Sequence, residues 1–163
     1  MWYSFDLTFL SCSLLHGGEE RMANEVRYCI QMHSQPTINL LSDAKVDQKG
    51  VYIFHNYSEI YYVGKTSRTF KQRFYERKGR TSASDQRIWE IIDQKRDYYV
   101  LIPTSFSGQL EAVLLNQGIK GDTQKRELVA LRDYQYQKNM ILETLSTIVG
   151  APISFIKSIW NMI

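Results

Sequence analysis

Two short runs of β-branched and aromatic residues, Gly50-Val51-Tyr52-Ile53-Phe54-His55 and Glu59-Ile60-Tyr61-Tyr62-Val63-Gly64, are separated only by Asn56-Tyr57-Ser58. That spacing suits an antiparallel hairpin with a loop of a few residues. Beyond Gly64 the period changes. Phe70 and Phe74 lie four apart, as do Arg73 and Arg77, so a helix over Thr69 to Arg77 carries one apolar stripe, facing the sheet, and one basic stripe. A second helix is predicted over Arg87 to Gln94, and a third strand over Tyr98 to Ile102, stopped by Pro103. A further helix over Gln109 to Gln117 is capped by Ser107. The elements together predict an α/β (α+β) domain in which a small three-stranded antiparallel sheet is flanked by helices, followed by a C-terminal helical extension.

Three segments follow from this reading. Residues 1–45 form an N-terminal extension with one strand around Val26 to Ile30, residues 46–124 the domain, and residues 125–163 a helical region. Met1 to Leu15 is apolar, with Asp6 its only charge. It has no basic residue ahead of the apolar run and no small-residue cleavage site, which makes it a poor signal peptide, and it is too short to span a bilayer. Gly17-Gly18-Glu19-Glu20-Arg21 would be encoded by purine-rich codons directly ahead of Met22, in the manner of a translated ribosome-binding sequence, so Met22 is an expected true start. The alternative is a short N-terminal element that packs on the domain.

At the other end, Arg126 to Gln137 reads as a polar helix. Met140 to Ile163 holds only Glu143 and Lys157 as charges, is broken by Gly150 and Pro152, and reads as an apolar helical hairpin. Such a hairpin covers the sheet or joins a homo-oligomer. Membrane attachment is the lesser reading, because interfacial helices are anchored by basic residues that are nearly absent here.

With 163 residues, 44% of them hydrophobic and 13% aromatic, the chain can bury a real core, which sets aside disorder and low-complexity classes. Cys12 and Cys29 share no metal-ligand spacing and make no disulfide framework, so a zinc module is set aside and a reducing, cytoplasmic setting is expected. Net charge is only +3, but its distribution is uneven. Lys65, Arg68, Lys71, Arg73, Arg77, Lys78 and Arg80 stand against Glu76 alone, a net of +6 within sixteen residues, which leaves the remaining 147 at −3. A concentrated basic stretch is what a polyanion-binding face needs, because phosphates neutralised by it release counterions. The plainer alternative is a solvated basic helix face.

Gly50-Val51-Tyr52, the ten-residue step to Tyr62-Val63-Gly64, then Lys65, Thr66 and a helix bearing Arg73 together resemble the GIY-YIG nuclease superfamily. Leu110-Glu111-Ala112-Val113-Leu114-Leu115 is similar to the Glu-Ala-x-Leu-Leu helix of that family's nucleotide-excision-repair members. The resemblance spans roughly residues 50–120. It implies an endonuclease that acts on DNA in preference to RNA, in which Tyr52, Tyr62 and Arg73 face one pocket and Glu111 binds a single divalent ion, Mg²⁺ or Mn²⁺. It places Tyr52 as candidate general base, and Gly64, Lys65, Arg68, Tyr75 and Arg77 as substrate-binding positions. Repair, or a mobile element or phage, are the settings it suggests.

Two departures from the family pattern stand out. Arg77 occupies the position four after Arg73 where His or Tyr is frequent, and the family's later Asn has no clean counterpart, Thr123 falling nearest its spacing.

The residue types suit phosphodiester hydrolysis in themselves. The reaction needs a proton acceptor for water, donors that neutralise charge on phosphorus, and help for the leaving oxygen. Arginine matches two phosphate oxygens, and one carboxylate is a normal protein contribution to Mg²⁺. Two other classes remain open: a catalytically silent nucleic-acid-binding module of the same fold, and a membrane- or oligomer-associated effector driven by the apolar tail.

Overall fold

The computed structural model describes residues 18–125 and 134–162. In chain order its elements are helix α1 (Gly18–His33), strand β1 (Gln35–Pro36), two 3-10 turns (Thr37–Ser42 and Ala44–Asp47), β2 (Gly50–His55), β3 (Ile60–Thr66), α2 (Phe70–Arg77), α3 (Ala83–Asp93), β4 (Tyr98–Pro103), α4 (Ser107–Asn116), α5 (Tyr134–Val149) and α6 (Ile153–Met162). The apolar run from Met1 to Leu15 and most of the predicted polar helix from Arg126 lie outside the described residues.

The hairpin forms as its spacing predicts. β2 pairs with β3 antiparallel, Tyr52 opposite Gly64 and Phe54 opposite Tyr62, with a register shift at the Phe54/His55 end. β4 pairs on the other side of β2, Val51 opposite Ile102. The sheet has four strands rather than three, because the two-residue β1 adds to the free edge of β4 and gives the order β1-β4-β2-β3. So brief a strand has no period to read. The strand expected at Val26 to Ile30 is instead the middle of α1. Met22, Val26, Cys29 and Ile30 are buried at steps of three and four, so helical amphipathicity overrides local β propensity.

Strand alternation divides the interior into two cores. On one face of the sheet Val51, Ile53, Val63, Val100 and Ile102 pack against Met22 and Val26 of α1, Leu110, Val113 and Leu114 of α4, and Ile141, Leu142 and Leu145 of α5. On the other, Tyr52, Phe54, Tyr99 and Leu101 meet Phe70 and Phe74 of α2, Ile88, Ile91 and Ile92 of α3, and Leu40 and Val46 of the 3-10 turns. Phe70 and Phe74 thus face the sheet as their spacing predicts. The flanking segments on both sides of the central domain contribute to the first core, so the sheet is filled between helical layers on both faces.

The C-terminal hairpin is built as its breakers dictate. α5 ends at Val149, Gly150 turns through a left-handed φ of 73°, and Pro152 precedes α6. The two helices bend by 113°, and no single helix among the described residues is long and apolar enough to cross a membrane. The buried side of α5 covers the sheet, the packing role predicted for it. The helix after β4 begins at Ser107 itself, with Phe106 at the cap position and no side-chain cap, so the capping role expected of Ser107 is not met.

Candidate active site

Tyr52 stands on the middle strand, and its ring is held on all sides. Phe74 meets it edge-on at 5.2 Å between centroids, Phe70 at 6.3 Å, and Tyr62 of β3 stacks at 6.2 Å. Directly across the hairpin lies Gly64. A methyl group there would overlap the Tyr52 ring, reaching within 2.7 Å of Cε2, so this tyrosine alone requires glycine at the position. Tyr52 is 1% exposed, whereas Tyr62, nearer the edge strand's open side, is only partly buried.

α2 brings the arginines to this ring pair. The helix starts at a capping box in which the Thr69 side chain accepts from Gln72 N–H and the Gln72 side chain accepts from the Thr69 N–H. From there, Arg73 and Arg77 project to the tyrosines one turn apart. Arg73 acts on the Tyr52 hydroxyl, is partly exposed, and has its Nη1 3.5 Å from Glu76 Oε2. Its Nε is buried with no hydrogen-bond acceptor among the described residues, while 26% of the side chain stays exposed.

Arg77 corrects the expectation that it meets substrate. It is 1% exposed, its Nη2 donates to the Tyr52 hydroxyl, and its Nη1 donates to Asp85 Oδ1 at 2.7 Å. The guanidinium carbon lies 5.0 Å from the Tyr62 ring centroid and 5.5 Å from that of Tyr52. Burial works against its charge, but the Tyr52 and Tyr62 hydroxyls outweigh burial and hold its pKa above the usual value. For Tyr52 the balance runs the other way: burial raises the phenol above its usual range, and Arg77 opposes that rise without cancelling it.

Asp85 is itself fixed. Ser82 caps α3, accepting from the Asp85 N–H at 3.2 Å and donating to Asp85 Oδ2 at 2.5 Å. The Ser-x-x-Asp spacing is visible in the sequence as an N-terminal cap signal, yet neither residue was expected at the site. Its link to Arg77 depends on α3 folding back across α2, which spacing does not encode.

Lys65 and Glu111 form a second group. Lys65 follows Gly64 by one residue and therefore alternates to the other face of β3, the face on which α4 packs. Its ammonium lies 3.7 Å from Glu111 Oε1 on α4. The four residues Tyr52, Tyr62, Arg73 and Arg77 are brought together on one face, while Lys65 and Glu111 meet on the other. The shared element is β3, the sheet edge that carries Tyr62, Gly64 and Lys65 in succession.

That edge is closed at one point by a residue without a sequence signal. Gln124 accepts from the Val63 N–H at 2.8 Å and donates to the Val63 carbonyl at 2.7 Å, standing in for a neighbouring strand.

The remaining predicted substrate positions scatter. Arg68 is exposed, pairs with Glu76, and borders an open groove of about 680 Å³ with Lys49, Gln72 and Thr104. Tyr75 points outward, exposed and tilted against Trp89 of α3 at 5.9 Å, so it does not share the site. A helical residue two positions from Arg73 and from Arg77 is turned well away from both.

Among the described residues no group of three or more His, Cys, Asp or Glu side chains could hold a metal ion. A lone carboxylate such as Glu111 does not suit zinc, whose sites take three or four protein ligands, but it does suit Mg²⁺, which keeps several waters and completes its shell with substrate phosphate.

Comparison with known proteins adds no relative: no family model matches the chain, and neither a curated protein nor a solved structure matches it.

Proposed function

We propose that the chain is a metal-dependent endonuclease of GIY-YIG type that hydrolyses phosphodiester bonds in nucleic acid, DNA in preference to RNA. The observation that carries this reading is the cluster in which Tyr62 stacks on Tyr52 and Arg73 acts on the Tyr52 hydroxyl, two phenols from adjacent strands and a partly exposed guanidinium on α2, the most basic helix among the described residues. Lys65 and Glu111, on the same edge strand and the helix against it, supply a cation and a carboxylate.

The roles follow from exposure and chemistry. Tyr62 is the phenol open enough to meet a water molecule, and Tyr52 stands behind it, which moves the proton-accepting role from Tyr52 to Tyr62. Arg73 offers its planar fork to two non-bridging phosphate oxygens. Lys65, half-exposed, meets the strand as a point charge. Ionised Tyr62 accepts a proton from the attacking water as the water oxygen bonds to phosphorus, the phosphorus–oxygen bond to the departing sugar breaks, and the sugar oxygen leaves with that bond's electron pair and takes up a proton from solvent. Glu111, which lies on the opposite face of β3 from Arg73, would hold the divalent ion at the sheet edge, where the ion would supply neutralisation of charge at the phosphate and at the leaving oxygen.

The test is Mg²⁺-dependent cleavage of supercoiled plasmid and of labelled branched and single-stranded oligonucleotides by wild type, Glu111→Ala and Tyr62→Phe at matched folding. The reading expects nicking that needs the metal and disappears in both variants. The burial of Tyr52 and the capture of Arg77 favour one second reading, a binding module without turnover. That reading expects salt-dependent binding with no cleavage by wild type and no effect of Glu111→Ala.

A further inference from the structure

The most enclosed charge in the described residues is Arg77, and the geometry points to a positioning role: Arg77 is the buried hub that holds the hydroxyls of Tyr52 and Tyr62 in place and sets a positive charge against the Tyr52 hydroxyl. This rests on the nuclease reading for its consequence, though not for its geometry.

Three observations carry it. A guanidinium that is 1% exposed has no path to a phosphate, so the charge acts inward. Its donors are directed: Nη2 to the Tyr52 hydroxyl, Nη1 to Asp85, with the Tyr62 hydroxyl also within its interaction range. Its own orientation is fixed from α3, because the second carboxylate oxygen of Asp85 accepts from Ser82 at 2.5 Å. A planar fork locked by a carboxylate on one side presents its other donors at a set angle, which an ammonium on a flexible stem does not do.

The charged and titratable groups that face the Tyr52 hydroxyl are few. α2 contributes Arg77 and Arg73, β3 contributes Tyr62, and α3 contributes Asp85 through Arg77. The other ring neighbours, Phe54, Phe70 and Phe74, carry no charge. Removing Arg77 therefore takes away the nearest positive charge and leaves Asp85 uncompensated, both of which disfavour a phenolate.

The experiment compares wild type, Arg77→Met, Arg77→Lys and Asp85→Asn by three readouts: binding of a labelled duplex across salt concentrations, single-turnover cleavage across pH, and ionisation of ¹³Cζ-labelled tyrosines followed by NMR. A positioning role expects Arg77→Met to bind within about twofold of wild type with an unchanged salt slope. Cleavage should fall at least tenfold, with the rising limb of its pH profile and the Tyr52 titration both moved to higher pH. Arg77→Lys should recover part of each. A substrate contact would instead lower the salt slope by about one and leave the Tyr52 titration in place, overturning the proposal.

Should Arg77→Met fail to fold, Asp85→Asn, which keeps shape and loosens only the anchor, decides. An unchanged Tyr52 titration and pH profile in it, with Arg77→Lys equal to wild type, would overturn the role. If wild type does not cleave at all, the nuclease reading fails by itself. The tyrosine titrations then still support the hub if they move with Arg77, and refute it if they do not.

Discussion

At the scale of single residues, the Tyr52 ring sets the terms for its neighbours. It occupies the space that a side chain at position 64 would need, and Phe70 and Phe74 prevent it from moving aside. Gly64→Ala is therefore expected to destabilise the fold by about 1–3 kcal/mol, the usual cost of overpacking, and to lower cleavage beyond what lost folding explains. Thermal unfolding measures the first effect; a melting temperature equal to wild type would show that the ring has room. That Tyr52, Tyr62 and Arg73 lie together was legible from the motif resemblance, whereas the meeting of Glu111 with Lys65 on the other face of β3 was not. Nor was the burial of Arg77, because a basic residue four after another reads equally well as a solvated stripe until α3 is known to lie over it.

At the scale of elements, the short α2 and α3 depend on their caps, since helices of 8 and 11 residues gain little from propensity alone. Ser82 has a double duty: it caps α3 and orients Asp85 toward Arg77. Ser82→Ala is expected to cost about 1 kcal/mol, measured as a lower urea midpoint at constant slope. An unchanged midpoint would mean that solvent replaces the cap without loss. The hairpin, the amphipathic α2 and the Gly150–Pro152 break were legible, because period and punctuation are local signals. β1 and the edge closure by Gln124 were not, because both depend on which segments meet in three dimensions.

Across the whole molecule, buried titratable groups on both sides of neutrality confine stability to a pH window. His55 is buried, and burial lowers its pKa below the ordinary 6.5, so the unfolded chain takes up a proton there before the folded one does; stability falls as pH drops through this range. Cys29 runs oppositely. Burial, with Glu25 adding to it, pushes the thiol from 9.0 up to about 12, so its contribution is full below pH 9 and is lost as pH rises towards 12. The loss is about 1.4 kcal/mol per pH unit in that interval. Unfolding temperature is expected to plateau between about pH 6.5 and 9, and Cys29→Ala to flatten the alkaline side. A plateau reaching pH 11 in wild type would contradict this.

The same molecule-wide view bears on function, since a net +6 in residues 65–80 sits on a remainder of −3 beside the tyrosine cluster. The most direct measurement is the single-turnover rate at which wild type and Tyr62→Phe nick a supercoiled plasmid, each with Mg²⁺ and with EDTA. The account expects nicking by wild type that EDTA abolishes, and a rate at least a hundredfold lower in a folded Tyr62→Phe that still binds the plasmid. Equal nicking by the two proteins, or nicking indifferent to EDTA, would contradict it.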